Sequence, residues 1–121
     1  MKEWWIKFGK SFYYAGRGIM TGFRERNMII HCLMAVIVII MGWIFSLSLM
    51  EWSIVLILIG LVIFAELVNT SIEELANVVK KNNNCEYGET KATRDLAAGA
   101  VLVVAIVSVI VGLIIFLPKI F

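Results

Sequence analysis

The fold turns on the run from Trp52 to Val79, WSIVLILIGLVIFA followed without a break by ELVNTSIEELANVV. The first 14 residues, Trp52 to Ala65, are apolar and uncharged. At about 1.5 Å per residue they make a helix of roughly 21 Å, short of the ~30 Å hydrocarbon core of a bilayer. A helix that crosses must continue through Glu66 and Asn69 to about Ser71 or beyond. That puts a carboxylate inside the membrane or at its inner edge. An ionisable side chain there costs about 2.5–3.5 kcal/mol on insertion scales, so it should face a protein interior or a water-filled cleft and do work there. Glu66, Asn69, Glu73 and Asn77 stand at i, i+3, i+7 and i+11, one face of a single helix. A protonated Glu66 bonded to a neighbouring helix is the purely structural alternative. Further polar residues on the same stripe favour a functional one.

Two more spans flank this one. Met28 to Leu47 is a 20-residue run whose only ionisable side chains are His31 and the thiol of Cys32. Leu96 to Leu117 is 22 uncharged residues, closed by Pro118 and Lys119. The whole chain, 121 residues, is 61% hydrophobic with a mean hydropathy of +0.93, outside the range of soluble globular domains. With no Pro/Gly/Ser-rich linker, low-complexity tract or internal repeat, we read one domain over 1–121. Its expected parts are an amphipathic helix over 1–27, spans over 28–47, 52–79 and 95–117, and a polar loop over 80–94. The Asn-rich step at Asn82–Asn84 suits that loop.

Charge placement orients the spans. Lys2, Lys7, Lys10, Arg17, Arg24 and Arg26 precede the first, and Lys80, Lys81, Lys91 and Arg94 lie between the second and third. The Ser48–Trp52 turn holds only Glu51. Basic loops stay cytoplasmic, so the N-terminus is expected inside and the C-terminus outside the plasma membrane. Trp4, Phe8, Phe12, Ala15, Ile19 and Phe23 recur at helical steps with most cations off the stripe, as in a helix lying in the interface plane. Such a helix need be no more than an anchor.

Cys32 and Cys85 fall in apolar and polar segments, so they are expected at different depths, unpaired and reduced. No secretory signal is expected, because the first long apolar run begins only at Met28 and has no small-residue cleavage site after it. Neither a metal-binding Cys/His cluster nor a P-loop occurs. YGETK at Tyr87–Lys91 lacks the P-loop spacing.

Three helices present carboxylates toward one interface: Glu25 just before the first span, Glu66 and Glu73 on the second, Asp95 just before the third. Lys91 and Arg94 lie nearby. Hard cations such as Mg²⁺ bind one or two carboxylates together with substrate phosphates. A glutamate withdrawn from water suits a general base. Carboxylates for a metal, one for a proton and cations for phosphate form a phosphoryl-transfer set. Charges at helix ends are the bland alternative for Glu25, Arg94 and Asp95.

AELVNTSIEELANVV and RDLAAGAVLVVAIVSVIVGLIIFLPK resemble the small prokaryotic membrane kinases of diacylglycerol and undecaprenol. Their E-x-x-N-[TS]-x-I-E motif is matched by Glu66, Asn69, Thr70, Ile72 and Glu73, and ERNMIIH at Glu25–His31 resembles the Gram-positive, undecaprenol-preferring branch. The resemblance spans nearly the whole chain. It implies an all-α integral membrane enzyme, a homotrimer with shared active sites, using ATP and Mg²⁺ to phosphorylate undecaprenol or diacylglycerol. By the same resemblance, Glu66 would be the base and Asn69 its support or a contact to the lipid head. Glu25 and Glu73 would hold Mg²⁺-ATP. Asn77, Glu86, Arg94 and Asp95, with Tyr13 or Tyr14, would stand at the nucleotide. The family usually carries Asp where Asn77 stands and Lys where Arg94 stands. No nucleic-acid partner is expected. The competing readings are a small proton-coupled transporter using Glu66 and a non-catalytic membrane homologue. Ala98, Ala105 and Gly112, at seven-residue steps, would permit close helix contact within or between subunits.

Overall fold

The computed structural model describes residues 1–83 and 86–121, without the side chain of Tyr87. The expectations for Asn84 and for the thiol of Cys85 lie outside the described residues. Among the described residues the chain is helical: α1 over Lys2–Gly22, α2 over Arg26–Ile44, α3 over Leu49–Asn82, a 3-10 turn at Tyr87–Thr90, and α4 over Lys91–Ile120. The helices α2, α3 and α4 are each long and apolar enough to cross a membrane.

The helix α3 runs unbroken through Glu66 and Asn69, as the 14-residue count requires. Its 34 residues reach about 50 Å, well beyond a hydrocarbon core. It begins at a capping box: Ser48 Oγ accepts from the Glu51 amide at 3.2 Å, and the Ser48 amide donates to Glu51 Oε1 at 3.0 Å. The helix α2 stops at Ile44, short of Leu47, because the chain reverses there. Ser46 takes φ 52°, and the Leu47 amide reaches back to the Gly42 carbonyl at 3.1 Å, a Schellman-type ending.

Other boundaries also move. Lys80 and Lys81 belong to the last turn of α3, where cations complement the helix dipole, and Lys91–Arg94 to the first turn of α4. Much of the expected 80–94 loop is therefore helical. The helix α4 continues past Pro118 to Ile120, because a proline so near the end forfeits only one amide donor in the final turn.

The central element is α3: α4 packs along it, α2 lies against it, and α1 touches it. The apolar core sits toward the Ser46–Leu49 turn, where Leu47, Val55, Ile115 and Phe116 are buried. There Trp43 and Trp52 lie 5.9 Å apart, Phe45 and Phe116 6.1 Å apart, and Lys119 Nζ meets Glu51 Oε1 at 3.1 Å. A Cβ on Gly42 would come within 2.6 Å of the Trp52 ring, so glycine permits that contact. At the opposite end a Cβ on Gly22 would overlap Cδ2 of Leu67, so the close of α1 seats beside Glu66. The rest of α1 is exposed, its Trp4 and Phe8 rings stacked 5.3 Å apart.

Candidate active site

Glu66 and Asn69 are the most deeply buried polar side chains at the end of the bundle away from the core, 3% and 4% exposed. Both are on the inward face of α3, one turn apart, and line a cavity of about 220 Å³. Asn27, Ile30 and His31 of α2 and Ala98 and Val101 of α4 complete its wall. Polar contacts therefore come from α2 and α3, while α4 contributes small and apolar side chains. His31 Nε2 lies 3.5 Å from Glu66 Oε2.

The stripe continues along α3. Asn69 Nδ2 donates to Glu73 Oε1 at 3.3 Å, which leaves the Asn69 Oδ1 acceptor buried without a partner among the described residues. A buried acceptor with no donor costs about 1–3 kcal/mol, so this oxygen is a costly group to keep in the wall of the cavity.

One turn beyond Glu73, Asn77 meets α4. Arg94 Nη2 donates to Asn77 Oδ1 at 2.7 Å, and Arg94 Nε donates to Thr90 Oγ1 at 3.0 Å. Position 77, where relatives usually carry aspartate, and position 94, where they usually carry lysine, are thus direct partners. Here the pair is an amide with a guanidinium.

The other residues expected at the site lie on the surface of the chain. Asp95 is exposed and paired within its own helix to Lys91 Nζ at 2.7 Å. Glu25 is exposed at the N-cap of α2 and makes no side-chain cap bond. Glu86 is exposed at the head of the 3-10 turn. Tyr13 and Tyr14 are exposed on α1, with the Arg17 guanidinium 5.8 Å from the Tyr13 ring. Among the described residues, no group of three or more His, Cys, Asp and Glu side chains is placed to hold a metal by itself.

Sequence reading gave no role to His31 or Asn27. The available signal was that His31 is the chain's single histidine and lies within a span. Which helix face it presents to Glu66 is not encoded in spacing along α2.

The prokaryotic diacylglycerol kinase family profile matches residues 13–116. An undecaprenol kinase of Bacillus subtilis (strain 168) is 45% identical over 114 residues, covering 93% of this chain and 90% of that protein. A diacylglycerol kinase of Synechocystis sp. is 35% identical over 109 residues, covering 89% of this chain and 61% of that protein. No solved structure matches the chain.

Proposed function

The chain belongs to the prokaryotic diacylglycerol kinase family of lipid kinases, and from that premise we propose that it phosphorylates undecaprenol in preference to diacylglycerol, with Glu66 as general base. The observation that carries the mechanism is a carboxylate almost fully withdrawn from water, on the wall of a cavity, on a helix long enough to cross a membrane. Support for the lipid is the match to the Bacillus undecaprenol kinase along nearly both full lengths.

In the proposed reaction the lipid hydroxyl oxygen attacks the γ-phosphorus of ATP, the bond to the bridging oxygen of ADP breaks, and the hydroxyl proton passes to Glu66. Positioning and electrostatics are most of what a protein contributes to such a transfer. Asn69, on the cavity wall one turn from Glu66, supports the base, and its amide keeps the Glu73 carboxylate in place.

Glu25 and Glu73 are oxygen donors of the kind a hard cation selects, Glu73 being held by Asn69, and they would hold Mg²⁺ together with water and phosphate oxygens. When bound, Mg²⁺ neutralises charge on the β- and γ-phosphates. Arg94, anchored by Asn77 and Thr90, offers a guanidinium to phosphate, with Asp95 and Glu86 on the nucleotide side. Glu25, Glu86 and Asp95 are exposed in one chain, in keeping with a homotrimer whose sites are shared between subunits. ATP reaches the site if the basic N-terminal segment faces the cytoplasm.

The deciding assay gives the purified protein, in detergent, Mg²⁺ and γ-labelled ATP with undecaprenol or diacylglycerol. Label is expected on both lipids and faster on undecaprenol. Label on neither overturns the kinase reading, and faster transfer to diacylglycerol overturns the lipid assignment.

A further inference from the structure

Glu66 has a neighbour for which the transfer just described finds no use. His31 comes from a different helix, yet its Nε2 is the group brought to 3.5 Å from Glu66 Oε2. The two differ in access to solvent: the Glu66 side chain is 4% exposed and the His31 side chain 20%. The other walls of the cavity are Asn27 and Ile30 of α2, Asn69 on α3 itself, and Ala98 and Val101 of α4, so the polar groups around Glu66 come from its own helix or from α2. Among them the His31 imidazole is the group seen in contact with Glu66 across helices, and an N–H from α2 can fix the rotation of a side chain that projects from α3.

His31 also stands at a junction. A second, larger cavity of about 370 Å³ runs between α2, α3 and α4 toward the turn, lined by apolar side chains such as Met34, Val38, Leu58 and Val109. His31 is the residue that lines both cavities. The imidazole thus lies between an apolar space and the polar one that holds Glu66.

We propose that His31 is a positioning residue, whose Nε2–H holds Glu66 Oε2 and so turns the other carboxylate oxygen toward the lipid hydroxyl. The inference rests on the reading of Glu66 as base. A separation of 3.5 Å is a loose contact, and catalytic hydrogen bonds of this kind commonly tighten once the reactants are bound. Misplacing a reacting group by about 1 Å costs on the order of 100-fold in rate, so a histidine acting through Glu66 should affect kcat rather than binding.

The test uses the full chain in lipid nanodiscs, with undecaprenol and Mg²⁺-ATP. His31→Leu is expected to lower kcat ~100-fold while KM for both substrates stays within about 2-fold. His31→Gln, whose amide nitrogen takes the place of Nε2, is expected to recover activity to within ~10-fold of wild type. His31→Asn, whose amide mimics Nδ1, is expected to recover none. Because the chain has one histidine, its imidazole gives one ¹⁵N spin system, which is expected to shift in Glu66→Gln. Wild-type kcat in His31→Leu, a loss carried wholly by KM, equal activity in the Gln and Asn variants, or an unmoved imidazole signal would each overturn the proposal. Should the Leu variant fail to fold, the Gln–Asn contrast and the NMR shift decide. A wild-type protein that labels no lipid defeats the kinase reading itself. A labelling wild type with an indifferent His31 defeats only this inference.

Discussion

The two ends of the helical bundle solve opposite problems. At the turn end the strongest polar groups find partners within the chain: Ser48 and Glu51 cap each other, Glu51 also meets Lys119, and the Leu47 amide closes the end of α2. Apolar rings and aliphatic side chains fill what is left. At the other end a glutamate and an asparagine are buried beside a cavity, and one asparagine oxygen has no partner among the described residues. Glu25, Glu86 and Asp95 are exposed. One end is finished by its own sequence. The other, on the function proposed above, would be completed by substrate, cation or another subunit, and leaving it open costs stability.

That contrast makes a prediction with two directions: changes at the cavity should reduce activity with little effect on stability, and changes at the turn should do the reverse. The largest effect is expected from Glu66→Gln. Loss of the base should slow transfer ~10²–10⁴-fold, while unfolding in detergent stays at or above the wild-type temperature, since a neutral amide is less costly to bury. A clear drop in melting temperature would instead make Glu66 part of the scaffold. Next is Glu73→Ala, expected to lower turnover by ~100-fold or more through loss of the cation site, with little rescue by excess Mg²⁺. Wild-type turnover in that variant would remove Glu73 from the site.

At the turn, Gly42→Val should force the Trp52 ring from its place and destabilise the fold by about 1–3 kcal/mol, read as a lowered melting temperature. Its kcat per folded molecule should be unchanged; a lost kcat would show that the two ends are coupled. The smallest effect is expected from Ser46→Gly. A left-handed conformation costs an L-residue about 1–2 kcal/mol, partly offset by the greater freedom of glycine in the unfolded chain, so a gain of about 0.5–1 kcal/mol is expected. A loss would mean that the Ser46 side chain contributes something the backbone geometry does not reveal.

Within the site, legibility divides along the same line as the chemistry. The stripe Glu66–Asn69–Glu73–Asn77 was readable because it lies on one helix, where the backbone repeat alone sets which residues share a face. The bond from Asn69 to Glu73 follows that repeat. Asp95, expected to face the shared interface, is exposed and paired to Lys91 one turn back on α4. A local partner at i−4 is always within reach, whereas a distant one depends on how α4 is rotated. The partnership of Asn77 with Arg94, and of Glu66 with His31, crosses between helices and is invisible to spacing.

The sequence by itself determined three apolar helices, the continuation of the central one past Glu66, and the family to which the chain belongs. Each follows from local quantities: hydropathy along the chain, the length needed to cross a bilayer, and a motif within eight residues. Tertiary structure alone decided where the helices stop, that Gly42 and Gly22 are contact points, that Arg94 is tied to Asn77, and that the single histidine faces the buried glutamate. Those outcomes depend on how each helix is turned about its axis against its neighbours. That rotation is fixed by packing summed over many side chains, so no short stretch of sequence contains it.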